Sequence, residues 1–319
     1  MSVTRPPFDP ELALTLEAIR ERLPPTVTPE MVQPMRDAPP PVGIDEALAG
    51  RPITRTDHTI HGYEGGQIAA TVFARDGHTG TGPGIVRFHG GGMVMGSRFA
   101  GINQTLTWVE RFDAVCVTVD YRLAPEHPDP YPVEDCYATL VWTVEHAVEL
   151  GIDTERIVVT GPSAGGGLAA GVALLARERG GPALLGQMLV SPMLDDRNDT
   201  VSAHQIDGVG VWDRSSNDTG WNALLGDRRG TDAVSVYAAP ARATDLAGLP
   251  SAFVECGSAE VFRDEDVAYA SGLWAAGSQA ELHVWPGGFH ASDQLAPNAR
   301  LSRDMTAARD AWMARLLDA

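Results

Sequence analysis

The pattern of apolar and polar positions changes near residue 52 of this 319-residue chain. Before that point the sequence is rich in proline and contains one amphipathic stretch, ELALTLEAIRERL, whose three- and four-residue apolar spacing predicts a helix. After it, RTDHTIHGY and GQIAATVFARD alternate around EGG, which predicts an antiparallel hairpin. We therefore expect residues 1–50 to be a helical segment appended to a sheet that begins at residue 51.

Short apolar runs then alternate with helical patterns. The runs predicted as strands are GIVRFHG, AVCVTVDYR, RIVVTG, ALLGQMLVSPML, PSAFVECGS and AELHVWPG. With the hairpin they make eight, and such alternation is typical of a mostly parallel sheet with helices on both faces. The alternation stops over residues 195–249, which are polar apart from the helical run GWNALLG. We predict that this stretch is an insertion over the carboxyl ends of the strands, between core segments 51–194 and 250–319.

Composition excludes several classes of function. All 24 basic residues are arginine, and with 42 acidic residues the formal net charge is −18. The absence of lysine from the sequence excludes a Walker lysine, a Schiff-base lysine and a lysine general base. The negative charge disfavours binding to nucleic acid or to an anionic membrane. No G-x-G-x-x-G motif follows a predicted strand, which disfavours a dinucleotide-binding enzyme.

The sequence also bears on where the protein is found. Its first residues lack the apolar stretch of a signal peptide, and no window approaches the roughly 18 consecutive apolar residues of a membrane span. The cysteines at 116, 136 and 256 are scattered without metal-ligand spacing, which indicates reduced thiols in the core. We expect a cytoplasmic protein without a bound metal.

Ser163 is the candidate nucleophile. It lies in GPSAG, between the predicted strand RIVV and the helical run LAAGVALLA, with Gly161 and Gly165 on either side. Side chains at those two positions would collide where strand and helix meet, so a serine on such a corner projects its hydroxyl from the sheet. The alternative is a serine that merely begins a helix, and the strand–turn–helix context favours catalysis over it.

A second glycine-rich stretch, RFHGGGMVMG at residues 87–96, follows an earlier strand. Three successive glycines let backbone N–H groups face a bound substrate, as an oxyanion that develops on a carbonyl requires. The partner donor is predicted to be the N–H of Ala164, directly after the nucleophile. His89, which opens the glycine run, is expected to shape the loop and not to transfer protons.

The candidate base and acid follow from chain order. His283 lies inside the strand AELHVW, whereas His290 follows the loop PGGF at a carboxyl end, so His290 is the candidate base. The acid is expected after PSAFVECGS. Glu260 comes first on that loop, and Asp264, at the start of the next helix, is the alternative.

The motifs that carry chemistry occur in one order along the chain: HGGG at 89–92, DYRLAPEHP at 120–128, GPSAGG at 161–166, AEVFRDE at 259–265 and GGFH ending at 290. In these motifs the chain resembles the hormone-sensitive-lipase-like branch of the α/β-hydrolase superfamily. The resemblance implies the α/β-hydrolase fold with a helical cap, no cofactor, and a homodimer paired through the last strand. It further implies that Ser163 is the nucleophile, His290 the base and Glu260 the acid. The three oxyanion donors that it implies are the N–H groups of Gly91, Gly92 and Ala164.

Two positions depart from the family pattern. The family usually has aspartate where this chain has Glu260, and commonly has aspartate where Pro162 precedes the nucleophile. Proline favours an extended conformation in the residue before it, which suits the end of a strand.

The function that the resemblance implies is that of a serine carboxylesterase acting on neutral esters with short to medium acyl chains. Met93, Trp212 and Phe289 are predicted to line an apolar substrate pocket, with core packing as the equal alternative for Met93. A lactone hydrolase of the same fold is the first alternative function. A non-catalytic small-molecule receptor is the second, and such a receptor typically lacks its nucleophile or its histidine.

Overall fold

A computed structural model describes residues 4–39 and 42–317 of the protein. Its centre is one eight-stranded sheet in the order β1-β2-β4-β3-β5-β6-β7-β8. Strand β2 is antiparallel to β1 and β4, and the remaining neighbours pair in parallel. The strands are β1 Ile53–His61, β2 Gln67–Arg75, β3 Gly82–Phe88, β4 Val115–Val119, β5 Ile152–Pro162, β6 Gly186–Val190, β7 Ser251–Gly257 and β8 Ala280–Trp285. The predicted eight-stranded, mostly parallel sheet is confirmed.

Twelve α-helices surround the sheet within the described ranges. They are α1 Pro10–Ile19, α2 Pro29–Asp37, α3 Ile44–Leu48, α4 Asn103–Phe112, α5 Tyr131–Glu145, α6 Ala147–Leu150, α7 Ala164–Glu178, α8 Val201–Gln205, α9 Arg214–Leu225, α10 Arg263–Ala275, α11 Ser292–Leu295 and α12 Arg300–Leu317. None of the helices among these residues has both the length and the apolar character needed to cross a membrane.

The last helix differs from its prediction. The sequence from about Leu295 to the end predicts one last helix, but the structure has α11, a break and then α12. Pro297 lies in the break, and Ala296 before it leaves the helical region, with φ −128° and ψ 60°. Proline disfavours a helical conformation in the preceding residue, which accounts for the interruption. The predicted extension to residues 318 and 319 lies outside the described residues.

Both faces of the sheet are covered by helices, because successive side chains along a strand point to opposite faces and both sets are buried. Val86 of β3 packs into the main core with α5, α7 and α10, whereas its neighbour Ile85 packs into a second core with α4 and α12. Helix α7 runs through the interior, since its first thirteen residues are all buried. This matches its composition, which is apolar on every side.

The N-terminal helices are joined to the stretch over residues 195–249. The backbone N–H of Val27 donates to Ser216 Oγ at 2.8 Å, and Thr219 Oγ1 donates to the carbonyl of Val27 at 2.9 Å. The first helix is also held to the sheet end, since Asp9 donates its N–H to the carbonyl of Gly287 at 2.9 Å. The predicted short run GWNALLG is a longer helix, α9, because Asp213 caps it by accepting from the N–H of Ser216.

Candidate active site

Ser163 occupies the corner between β5 and α7. Its backbone is in an unusual conformation, φ 57° and ψ −123°. The corner is held by hydrogen bonds on both sides: Ser163 N–H donates to the carbonyl of Val190 at 2.8 Å, and its own carbonyl accepts from Met193 N–H at 3.0 Å. A non-glycine residue with positive φ is costly, so these contacts stabilise a strained turn that projects the side chain.

The flanking glycines are required by the close approach of the chain. A Cβ on Gly161 would lie 2.5 Å from the carbonyl oxygen of Phe88, and one on Gly165 would overlap that same oxygen. Any larger residue at either position would push the end of β3 away from the corner. The predicted reason for the two glycines therefore holds in the structure.

A hydrogen-bonded chain connects Ser163 to a carboxylate. Nε2 of His290 lies 3.1 Å from Ser163 Oγ, and Nδ1 lies 2.5 Å from Oε1 of Glu260. A carboxylate only accepts, so the ring proton sits on Nδ1 and Nε2 is free to accept from the serine hydroxyl. The serine, histidine and glutamate residues are 8%, 9% and 1% exposed. All three are thus buried.

The alternative acid and the alternative histidine are engaged elsewhere. Asp264 accepts from the N–H of Ser202 at 2.7 Å and from Arg263 Nε at 2.8 Å. His283 lies in β8, where its ring stacks on Trp285 with centroids 5.0 Å apart. The structure therefore pairs Glu260, and not Asp264, with His290.

The HGGG loop lies beside the serine. A Cβ on Gly90 would be 3.4 Å from Cβ of Ser163. Gly91 and Gly92 have φ of +121° and +61°, a region that favours glycine. Within the described ranges no group accepts a hydrogen bond from the N–H of Gly91, Gly92 or Ala164. Three donors are therefore left without partners near the hydroxyl.

His89 braces this loop. Its Nδ1 donates to the carbonyl of Gly90 at 2.8 Å, and its ring stacks on Tyr121 with centroids 4.1 Å apart. The Tyr121 hydroxyl in turn donates to the carbonyl of His89 at 2.9 Å. Burial lowers the pKa of His89 to about 4, so the ring is neutral near pH 7. The side chain shapes the loop, as the sequence predicts.

The three predicted pocket residues lie in different surroundings. Trp212 packs directly on the HGGG loop, since a Cβ on Gly92 would lie 2.5 Å from its Cζ2 atom. Phe289, next to His290, packs in a small apolar cluster with Leu12. Met93 is 1% exposed and belongs to the main core. Contact of these residues with substrate stays a prediction.

A buried ionic network that no sequence motif indicated lies behind the site. Glu255 accepts from Arg309 Nε at 2.5 Å and from Trp285 Nε1 at 2.8 Å, and Arg309 Nη1 donates to Asp293 at 2.7 Å. Burial raises the pKa of Glu255, although the charge of Arg309 opposes this. Arg309 and Glu255 are 54 positions apart, so no local pattern indicated the pairing.

Two further acids lie behind Glu260, on α10. Glu265 accepts from the N–H groups of Leu194 and Asp195 at 2.7 and 3.1 Å, which holds the chain after β6. Asp266 is fully buried, and neither of its oxygens has a hydrogen-bond partner among the residues described. Burial raises the pKa of both carboxyls well above the ordinary value. No group of three or more His, Cys, Asp or Glu within the described ranges could hold a metal ion.

Known proteins share this arrangement of elements. Residues 85–293 match the model of a protein family whose description is "alpha/beta hydrolase fold". Esterase LipI of Mycobacterium tuberculosis is 37% identical over 209 residues, which cover 63% of this chain and 62% of LipI. The solved structure of a bacterial heroin esterase is 35% identical, with a TM-score of 0.88 over 97% of this chain and 98% of its own.

A relative with a non-enzymatic name also matches. The gibberellin receptor GID1A of Arabidopsis thaliana is 33% identical over 209 residues, which cover 63% of this chain and 59% of the receptor. The matched stretch is thus under two thirds of the length of both LipI, at 62%, and the receptor, at 59%.

Proposed function

Because the chain belongs to the hormone-sensitive-lipase-like branch of the α/β-hydrolase family, we propose that it hydrolyses carboxylic esters with Ser163 as nucleophile. The observation that carries the proposal is the chain of hydrogen bonds from Ser163 through His290 to Glu260, at 3.1 and 2.5 Å. Relatives named as esterases support the same conclusion.

The first half-reaction forms an acyl-enzyme. Ser163 Oγ attacks the ester carbonyl carbon while Nε2 of His290 takes the hydroxyl proton. Glu260 keeps the ring oriented and stabilises the imidazolium. The proton then passes from Nε2 to the departing alkoxide, the ester C–O bond breaks, and the alcohol leaves.

The second half-reaction releases the acid. His290 takes a proton from water as the water oxygen attacks the acyl carbon, and the bond to Ser163 Oγ breaks as that oxygen regains the proton. In both steps negative charge develops on the carbonyl oxygen. The unpartnered N–H groups of Gly91, Gly92 and Ala164 are the donors suited to it. This chemistry requires no metal and no cofactor.

The substrates that fit best are neutral esters with short to medium acyl chains. A cap formed by residues 1–50 together with residues 195–249 would cover the site, in keeping with the hydrogen bonds that join the two segments. Apolar walls would be supplied by Trp212, which packs on the HGGG loop, and by Met93 and Phe289. The net charge of −18 is compatible with a neutral substrate.

The test is hydrolysis of p-nitrophenyl esters of increasing acyl length by purified wild type and Ser163→Ala. Activity that peaks at short or medium chains and disappears in the variant is expected. Ser215→Ala, which changes an exposed serine on α9, is the matched control and should hydrolyse esters like wild type. Equal activity in Ser163→Ala and wild type would overturn the assignment of the nucleophile.

Two alternatives are separated by the same assay. Turnover of lactones by Ser163 with poor turnover of open-chain esters would identify a lactone hydrolase. Folded wild type that turns over neither class would favour a small-molecule receptor, the function in the name of GID1A. The intact Ser163–His290–Glu260 chain favours an enzyme over a receptor.

A homodimer and a cytoplasmic location stay predictions. Pairing would use β8, which ends the sheet and is only partly covered. Sedimentation of the purified protein would distinguish a dimer from a monomer.

A further inference from the structure

The carboxylate of Glu260 has two oxygens with different partners. Oε1 accepts from His290, whereas Oε2 accepts from the hydroxyl of Ser191 at 2.8 Å. The backbone N–H of Gly257 lies 3.4 Å from the same Oε2, at the outer limit of a hydrogen bond. Since the carboxylate is 1% exposed, Ser191 is the one close donor to Oε2 among the described residues.

Ser191 itself is held in an uncommon conformation. It is the first residue after β6 and has a φ of +44°. Its backbone N–H donates to the carbonyl of Glu255 on the neighbouring strand at 2.7 Å, and its side chain is buried. A left-handed serine persists only where its surroundings fix it, and here the result is a hydroxyl aimed at Glu260.

The same short segment also holds the nucleophile. The carbonyl of Val190 accepts from Ser163 N–H at 2.8 Å, and Met193 N–H donates to the carbonyl of Ser163 at 3.0 Å. Ser191 lies between these two contacts. The segment 190–193 therefore fixes the backbone of Ser163 on one side and the carboxylate of Glu260 on the other, and so sets the gap that His290 must span.

We propose that Ser191 is a positioning residue, whose hydroxyl fixes the Glu260 carboxylate so that Oε1 meets His290 in line with Ser163. The inference rests on the proposed function. A glutamate has one more side-chain torsion than the aspartate that the family usually has, so its carboxylate has more orientations to choose from. The Ser191 hydroxyl removes that freedom at one oxygen and leaves the other for the imidazole.

Other groups near Glu260 do not replace this donor. The ionisable neighbours whose charges reach it are His290, Cys256, Glu265 and Asp266. The last two are acids that burial keeps protonated to higher pH, and Glu265 points to the N–H groups of the chain after β6. Without Ser191, Oε2 would be buried with only the distant N–H of Gly257.

The first test is the kinetics of Ser191→Ala and Ser191→Gly on the ester that wild type hydrolyses best. Both variants lack the hydroxyl, but glycine relieves the positive φ, so a shared loss of activity belongs to the hydroxyl. We expect kcat to fall by about tenfold in both with KM little changed, as when one hydrogen bond to a charged group is lost. Ser292→Ala is the control, because Ser292 is a buried serine whose hydroxyl has no partner among the described residues.

The second test asks whether Ser191 acts through Glu260. In a Glu260→Gln background, Ser191→Ala should cause little further loss, because the carboxylate that it orients is absent. Additive losses would mean that Ser191 acts independently of Glu260 and would overturn the proposal. A kcat equal to that of wild type in both Ser191 variants would overturn it as well.

A third measurement is independent of turnover. The Nδ1–H proton of His290 should give a low-field NMR resonance in wild type, assigned by its loss in Glu260→Gln. It should shift or broaden in Ser191→Ala and stay in place in Ser292→Ala. If wild type hydrolyses no ester, the proposed function fails while this resonance still tests the positioning. If Ser163→Ala is inactive, wild type is active and the resonance is unmoved in Ser191→Ala, only the inference about Ser191 fails.

Discussion

The ring of Phe8 packs edge-on against the ring of Phe289, with centroids 5.7 Å apart and planes at 78°. Phe289 precedes His290 in the chain, so an N-terminal residue contacts the loop that carries the base. The hydrogen bond from Asp9 N–H to the carbonyl of Gly287 strengthens the same connection. The N-terminal segment is therefore part of the structure that places His290.

Phe8→Ala should weaken both stability and activity. Loss of the aromatic pair lowers the free energy of unfolding by about 1 kcal/mol. Misplacing a catalytic group by about 1 Å costs about 100-fold. Because His290 keeps its other contacts, we expect a smaller displacement and a fall in kcat/KM of about tenfold. Urea unfolding and ester hydrolysis measure the two effects. Leu14→Ala, on the exposed side of α1 at 74% exposure, is the control. Similar losses in both variants would show that the contact with Phe289 is not the cause.

Gly92→Ala should nearly abolish turnover. The added Cβ would strike the indole of Trp212, and the φ of +61° is strained for alanine. Either the loop or the tryptophan must move, and the N–H of Gly92 moves with the loop. Removing one oxyanion donor costs about 100- to 1,000-fold in kcat, which is the expected fall.

Gly50→Ala is the control for Gly92→Ala, because it introduces backbone strain without a clash. Gly50 has a φ of +76° with open space around it, so alanine there is strained without meeting any atom. It should lose about 1 kcal/mol of stability while kcat stays at the wild-type value. If Gly92→Ala keeps its kcat, the loop does not supply a donor to the oxyanion.

Glu260→Asp should lower activity even though aspartate is usual in the family. The glutamate reaches His290 at 2.5 Å and Ser191 at 2.8 Å, and aspartate would withdraw the carboxylate by about 1.5 Å, one C–C bond. It could then meet one partner but not both. We expect a fall in kcat of about tenfold, smaller than the fall of up to about 10⁴-fold expected for Glu260→Gln, which cannot stabilise the imidazolium. An aspartate variant as active as wild type would mean that the loop after β7 adjusts to the shorter side chain.

The sequence could predict the main part of the site because of how parallel strands are arranged. Ser163 follows β5, Glu260 follows β7 and His290 follows β8, and the carboxyl ends of parallel strands meet at one edge of the sheet. Chain order and strand pattern were therefore enough to bring these residues together. Ser191 follows β6, which lies between β5 and β7. The same rule, applied to every strand, would have pointed to it.

Contacts that join distant segments could not be predicted in this way. Phe8 precedes the sheet altogether, and Arg309 reaches Glu255 from the last helix. An arginine on an amphipathic helix is usually solvated, and only the packing of α12 on the sheet buries this one at 4% exposure. Apolar periodicity places a helix against a sheet, but it leaves open which side chains meet.

The buried carboxyl of Asp266 gives the protein a pH dependence with a definite sign. Both of its oxygens lack partners among the described residues, and burial raises its pKa well above the ordinary 3.8. The folded chain therefore keeps a proton that the unfolded chain releases above about pH 4. Because the folded state binds more protons, its stability falls as pH rises from there towards the pKa of the folded state.

Asp266→Asn removes that titration while keeping the shape of the side chain. The variant should gain stability over wild type by about 1.4 kcal/mol for each pH unit until Asp266 ionises in the folded protein. Urea unfolding of both proteins at several values between about pH 5 and about pH 8 measures the gap. The neighbouring acids Glu265 and Glu260 add to the raised pKa of Asp266, so the difference between the two proteins includes their interaction with it. A gap that stays constant across the range would mean that Asp266 ionises in the folded protein as it does in the unfolded chain, despite its burial.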